Sequence, residues 1–190
     1  MATAELDHSA GAARSAHCFR RTWLFAYTTI WAMTLGIALV VAVGGAHLQT
    51  AVAAVIGARL DPQLNPPPQV GRVLALAAHN LPIEAWPVLL GVVGAHRHPL
   101  ARGAADVLVG ACMTVNVGVV GSALGAYGLA LVPYLPQLPL EWAGLALGTS
   151  CWLVQRQRAL TPREGVACVA LIACALLGAA ALETVAVPHR

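Results

Sequence analysis

Charged residues are scarce in this chain of 190 residues, and lysine is absent from it. Charged residues make up 10% of the sequence and hydrophobic residues 58%, and the mean hydropathy is +0.72. So little charge excludes an ordinary soluble domain, and the length allows one compact unit. The net charge of +3 comes from arginines that form no long run, which argues against a nucleic-acid partner. The composition therefore predicts an all-α, polytopic membrane protein.

Cysteine pairs and the usual catalytic motifs are also missing. The five cysteines include no CxxC pair, and Cys168 and Cys174 lie six positions apart within an apolar run. Cysteines in such a setting behave as small hydrophobic residues. The sequence contains no P-loop, HExxH or GxSxG motif. We therefore expect no metal and no cofactor, and the sequence argues against a conventional hydrolase or metalloenzyme.

The apolar runs predict a helical bundle with about five transmembrane helices. A small, weakly charged segment of residues 1–21 precedes them and is expected to be a disordered cytoplasmic tail. Rings at Trp23, Tyr27 and Trp31 are expected at the cytoplasmic interface. A proline run at Pro66–Pro68 requires a loop before the second span. The single transmembrane domain, 22–190, has predicted spans at residues 22–46, 71–95, 104–132, 140–154 and 165–187.

Arginine placement predicts the orientation, because arginine accumulates on the cytoplasmic side of a membrane protein. Three arginines fall on one side of the predicted spans, namely Arg59, Arg72 and Arg190. Eight fall on the other side, which we expect to be cytoplasmic, with the N-terminus inside and the C-terminus outside: Arg14, Arg20, Arg21, Arg97, Arg102, Arg156, Arg158 and Arg163.

The second span carries the most unusual sequence, GRVLALAAHNLPIEAWPVLLGVVGA. Pro82 and Pro87 interrupt a run of helix-forming residues, so we expect a broken helix with a polar centre. Glu84 lies near the middle of the span, where a carboxylate costs a few kcal/mol or more unless it faces protein, water or a partner. Glu84 is the residue for which a purely structural explanation is hardest to find.

Several spans place polar groups where they could share one cavity that opens outward. Glu84, Glu141, Glu183 and His79 are the candidate catalytic acids and bases, and Asn80 and Asn116 are candidate binding residues. Structural alternatives stay open for most of them: Asn80 could cap a half-helix, Asn116 could join helices, and Glu141 could face a helix dipole. We expect close helix packing at Gly118, Gly121 and Gly125, and we identify one GxxxG spacing, that of Gly121 with Gly125.

Residues 71–188 resemble the stage II sporulation protein M family of bacterial integral membrane proteins. AAHNLPIEAWPVLLGVVG and VNVGVVGSALGAYG are similar to two successive spans of the family that carry asparagine and glycine. In LPQLPLEWAGL, Pro136 and Glu141 match a turn before a helix, but Gln137 and Leu138 replace the family's His and Gly. AALETVAVP resembles the closing pattern, with Glu183 followed by a proline. The resemblance implies a divergent relative in the bacterial cell membrane that recruits other envelope proteins.

Three classes of function follow from these features. The first is a multi-pass membrane subunit or scaffold that acts in a complex with another membrane protein or with a second copy of the chain. The second is a cofactor-independent enzyme subunit that uses buried acids and bases on a peptide or lipid substrate, by analogy with the small membrane subunits of linaridin peptide maturation. The third is a transporter subunit, which a broken span favours and the small number of spans opposes.

Overall fold

The computed structural model describes residues 2–57 and 69–186, and it forms these residues into helices and short connections with no strand among them. Two short 3-10 helices, Ala95–Arg97 and Gly128–Tyr134, flank the fourth α-helix. The proline-rich loop predicted at residues 61–69 lies, apart from Gln69, outside the described residues. The α-helices are α1 (Ala2–Val43), α2 (Gly45–Gly57), α3 (Val70–Val92), α4 (Pro99–Tyr127), α5 (Leu138–Gln155) and α6 (Pro162–Ala186).

Four of these helices have the length and hydropathy needed to cross a membrane, as the composition predicts. A helix rises about 1.5 Å per residue and the hydrocarbon core is about 30 Å thick, so 20 apolar residues are enough. Large apolar side chains on these helices point outward, including Phe25, Leu100 and Val107. The four segments are His17–Val43, Val70–Val92, Pro99–Val132 and Pro162–Val185. α1 itself begins at Ala2 and includes the segment for which the sequence predicts a tail.

α5 lies at the centre of the bundle and is packed against α1, α3 and α6. Its side chains include several of the most completely buried in the described chain, such as Trp152 and Cys151. α4 packs against α1 and α2, and it makes few close approaches to α3. The bundle therefore has a closely packed half around α5 and a cleft between α3 and α4.

α3 is one continuous α-helix through Pro82 and Pro87, so the prediction of a broken second span is wrong. A proline removes one backbone donor and crowds the preceding turn, but neighbouring helices can hold such a helix together in a membrane. Pro87 is buried against α5. Close packing on α5 offers a physical reason why the prolines leave the helix intact.

The three aromatic residues near the start of the first predicted span pack against other helices. The Trp23 and Tyr27 rings stack with centroids 5.3 Å apart, and Trp31 meets Tyr27 edge-on. All three rings pack against the core cluster that includes Trp142 of α5, and Trp23 Nε1 donates a hydrogen bond to the Ala143 carbonyl at 3.3 Å. These rings join α1 to α5.

The start of α6 is defined by a capping box in the sequence Thr-Pro-Arg-Glu. The Thr161 amide donates to Glu164 at 2.8 Å, and the Glu164 amide donates to the Thr161 hydroxyl at 3.3 Å. Pro162 occupies the first turn, where its missing N–H costs nothing. Arg158, in the preceding loop, donates to both carboxylate oxygens of Glu164 at 2.6 and 2.9 Å, and this pairing raises the pKa of Arg158. The α5–α6 connection is therefore well fixed.

Candidate functional site

The close contact of α3 with α5 depends on two glycines one helical turn apart. A Cβ at Gly148 would collide with the backbone carbonyl of Glu84, and a Cβ at Gly144 would collide with the Glu84 carboxylate. Gly144 and Gly148 form a second GxxxG spacing, so the expectation of a single one is wrong. The absence of a side chain at both positions lets α3 lie directly on α5 and gives the Glu84 side chain its space.

A polar pocket of about 160 Å³ lies where α3, α4 and α5 meet. Glu84 is 7% exposed, and no cationic side chain lines the pocket. The pocket thus contains two carboxylates and two side-chain amides that come from three helices. Its lining residues are Asn80, Ile83, Glu84, Asn116, Val120, Glu141, Trp142 and Leu145.

Two buried polar atoms on the pocket residues have no hydrogen-bond partner. They are Oε2 of Glu84, which accepts, and Nε1 of Trp142, which donates. The amide nitrogen of Asn116 already donates to the Cys112 carbonyl at 2.8 Å, one turn earlier on α4, which leaves its oxygen as an acceptor. A buried polar atom without a partner costs about 1–3 kcal/mol. The pocket therefore holds unused hydrogen-bonding capacity, mostly of acceptors.

Ionisable groups extend from this pocket toward one end of the bundle. Glu141, in the first turn of α5, interacts electrostatically with Glu84 and with Glu183. Glu183 lies near the end of α6 and interacts with Arg72 in the first turn of α3. Leu140, beside Glu141 at the start of α5, lies against Gly178 of α6, so the groups form a line from the middle of α3, past the first turn of α5, to the end of the bundle where α3 begins. In the predicted orientation that end is the outer one.

The predicted site residues are only partly brought together. Asn80, Glu84, Asn116 and Glu141 line one pocket, and Glu183 lies beyond Glu141. His79 is exposed on α3 and is not among the lining residues, so it does not join the carboxylates as the sequence suggests. The reason is geometric: Asn80 and Glu84 are four positions apart and share a face of α3, whereas His79 points about 100° away from Asn80.

The glycines predicted to pack closely lie on α4, and two of them contact α1. A Cβ at Gly121 would approach the Thr34 carbonyl oxygen to 2.7 Å, and one at Gly125 would approach that of Ala38 to 2.5 Å. Gly118 has open space at the corresponding position, so it makes no close helix contact. The GxxxG spacing of α4 thus joins α4 to α1 through an apolar, closely packed interface.

At the other end of the cleft, α4 is attached to α5. Asp106 of α4 accepts a hydrogen bond from Trp152 Nε1 at 2.8 Å and lies 3.4 Å from Nε of Arg156. Trp86 and Leu90 of α3 pack against the buried cluster that Trp152 forms with Ala105 and Val109 of α4. These contacts close the cleft on the side away from Glu141, and the polar pocket occupies the part that remains open.

A larger cavity, of about 640 Å³, lies between the last turns of α3 and the first half of α6. Its lining is apolar apart from Gln155 and Thr161. Gln155 is 2% exposed, donates to the Val88 carbonyl at 3.1 Å and fits against Gly91, where a side chain would displace it. A cavity of this composition is suited to apolar chains, and the groups capable of acid–base chemistry lie in the smaller pocket.

Two features of the site are missed by reading the sequence. The Gly144–Gly148 spacing is visible in the printed sequence and is the signal that would have placed α5 against α3. Trp142 resembles an interfacial anchor in the sequence, but it is 4% exposed and lines the pocket. No group of three His, Cys, Asp or Glu side chains with metal-binding geometry occurs among the side chains that the structure describes.

No family model, curated protein or solved structure matches this chain.

Proposed function

We propose that this chain is an integral membrane subunit whose acidic pocket receives a hydrogen-bond-donating group of a partner or substrate within the bilayer. The observation that carries the proposal is the unpartnered Oε2 of Glu84, which lies beside the polar pocket near the middle of a membrane-spanning helix. A carboxylate at such depth is costly and usually functional. A protein that only packed against its neighbours would have no use for this group.

The proposed setting is the bacterial cell membrane, with five spans and the N-terminus inside. α5 adds a span to the four segments given above and is the fourth of the five in chain order: its 18 residues extend about 27 Å. Helices on several sides shield its polar residues, so it needs less hydropathy than a helix that faces lipid. The relationship to the stage II sporulation protein M family remains part of this proposal, and it agrees with a role as a subunit.

Labelling with dicyclohexylcarbodiimide, which reacts with carboxylic acids held in apolar surroundings, tests the assignment of the site. The purified chain in lipid nanodiscs should be labelled at Glu84, and Glu84→Gln should remove that label. Glu164, in the capping box, is the internal control because its oxygens are held by Arg158 and Thr161; it should stay unlabelled. Absence of the label at Glu84 would contradict the proposed site.

Thiol accessibility tests the proposed topology. In a cysteine-free background, a membrane-impermeant maleimide should react from outside the cell with Pro136→Cys, in the α4–α5 connection. It should reach Gln157→Cys, in the α5–α6 connection, only after the cells are opened. Reaction of both positions from outside would exclude α5 as a span.

An enzyme subunit is the second candidate, favoured by the line of carboxylates from Glu84 through Glu141 to Glu183. Such a line can carry a proton between the pocket and the outer end of the bundle, while Asn80 and Asn116 can polarise a carbonyl. Glu141→Gln should then block turnover of a peptide or lipid substrate while the protein still folds. Full turnover in Glu84→Gln, Glu141→Gln and Glu183→Gln would exclude this candidate.

A further inference from the structure

An apolar groove lies beside the polar pocket on the lateral surface of the bundle. This lateral groove, of about 520 Å³, is lined by Trp86, Leu108, Ala111, Cys112, Val115 and Asn116. Asn116 lines both the groove and the pocket. The groove lies over the cleft between α3 and α4, where those two helices make few close approaches. A molecule in the surrounding lipid could therefore reach Glu84 from the side.

The sizes of the two spaces limit what they can hold together. Pockets that enclose a whole small-molecule ligand usually measure about 300–1,000 Å³, so a polar pocket of 160 Å³ accepts only a small head group. The groove of 520 Å³ has an almost wholly apolar lining and accepts a chain. A small polar head on an apolar chain is an amphiphile.

The head group is defined by the charges and hydrogen bonds of the pocket. Glu84 and Glu141 supply carboxylates, and Asn116 offers its amide oxygen because its nitrogen is already bonded to Cys112. No cationic side chain lines the pocket. A primary ammonium carries three donors and no acceptor, and its hydrogen bonds to carboxylates are about twice as strong as neutral ones.

We propose that the cleft between α3 and α4 admits a long-chain primary amine from the bilayer, with its ammonium group at Glu84 and Glu141 and its chain in the lateral groove. This inference rests on the proposed function and names the class of molecule that the pocket receives. The competing candidate is a head group that also accepts hydrogen bonds, such as a hydroxyl, because the Trp142 N–H has no acceptor.

Photocrosslinking tests the inference on the full chain in lipid nanodiscs. The probe is dodecylamine with a diazirine in its chain, and the two comparison probes are the matching alcohol and the matching trimethylammonium compound. The amine should crosslink to α4 at Leu108, Ala111 or Val115, and unlabelled dodecylamine should compete with it. Glu84→Gln should reduce this capture by about tenfold or more, as expected when a charged hydrogen bond is lost. Equal capture of the alcohol or of the trimethylammonium compound would overturn the assignment of a primary amine.

A pair of variants on one helix tests the lateral route. Val115 lines the groove and is 63% exposed, whereas Val107 is 71% exposed and is not a lining residue. Val115→Trp should fill the groove and reduce crosslinking about tenfold, and Val107→Trp should leave it unchanged. Equal crosslinking in both variants would overturn the lateral route.

The outcomes separate this inference from the proposed function. If carbodiimide labels Glu84 and dodecylamine does not protect it from the label, the long-chain amine is excluded and the acidic site stands. If Glu84 is not labelled at all, the proposed function itself fails. Better protection by a membrane peptide with a terminal lysine than by dodecylamine would replace the amphiphile with a peptide.

Discussion

Two glycine pairs with the same spacing build two very different helix contacts in this protein. Gly121 and Gly125 of α4 approach backbone carbonyls of α1, and the surrounding side chains are apolar. Gly144 and Gly148 of α5 approach α3, where the neighbouring groups are the Glu84 carboxylate and the Glu84 carbonyl. The α1–α4 contact only joins helices, whereas the α3–α5 contact joins helices and also holds an ionisable group.

The difference shows that the spacing of small residues identifies a close contact but not its purpose. A GxxxG pair lets two backbones approach, and the facing helix decides what enters the space. At α4 the facing helix presents Ile37 and Val41, which fill it. At α5 the facing helix presents Glu84, so the close contact also holds a carboxylate that lines the polar pocket and has an unpartnered oxygen.

The largest effects are expected where a new side chain would meet backbone. Gly148→Val and Gly125→Val should each lower the free energy of unfolding by about 3 kcal/mol, because overpacking that moves a backbone costs about 1–3 kcal/mol and sometimes more. Thermal unfolding in detergent measures the change. Gly118→Val is the matched control on α4, since the Cβ position of Gly118 is open. The stability of this variant should remain close to that of the original protein. A large loss in the control would mean that glycine in α4 matters for a reason other than contact.

Substitution of the first glycine of each pair should affect stability differently in the two contacts. Gly121→Ala places a methyl group 2.7 Å from the Thr34 carbonyl oxygen, and we expect it to cost about 2 kcal/mol. Gly144→Ala meets only the end of the Glu84 side chain, which can rotate away, so its cost should stay below about 1 kcal/mol. Carbodiimide labelling of Glu84 should nevertheless change in Gly144→Ala and not in Gly121→Ala. Equal stability losses and unchanged labelling would remove the distinction between the contacts.

Replacing the Glu84 carboxylate should not lower the free energy of unfolding, whereas a mutation in a packed apolar contact should lower it. Glu84→Leu removes a buried oxygen that has no partner, so we expect stability to be unchanged or higher by about 1 kcal/mol. Ile30→Ala, in the apolar α1–α4 region where Ile30 is fully buried, should cost about 2–5 kcal/mol. A strong loss of stability in Glu84→Leu would show that Glu84 has a structural role that the contacts described above do not account for.

Much of the architecture could be predicted from the sequence, and the errors have identifiable causes. Hydropathy and charge are enough for an all-helical membrane protein, because the bilayer permits few other structures. The prolines of α3 are misleading, since tertiary packing on α5 holds the helix together around them. Position along the spans predicts a cavity shared by polar groups of several helices, and Asn80, Glu84, Asn116 and Glu141 line one pocket. It also includes His79, because depth alone does not say which face of a helix a residue occupies.

The smallest effect is expected at the contact that closes the other end of the cleft. Asp106→Ala removes the hydrogen bond from Trp152 and the interaction with Arg156, and it should cost about 1 kcal/mol. Arg156→Gln removes only the charge pair; the Arg156 side chain is 42% exposed and that of Asp106 is 33% exposed, so the cost should stay below about 0.5 kcal/mol.

Because α4 is held to α5 at Asp106 and separated from α3 beside the pocket, Asp106→Ala should also widen the cleft between α3 and α4. A spin-label pair on exposed positions of the two helices, Leu74→Cys and Val119→Cys, reports that separation. An unchanged distance distribution would mean that the α1–α4 glycine contact alone fixes the position of α4, which would make the apolar contact the one that shapes the polar site.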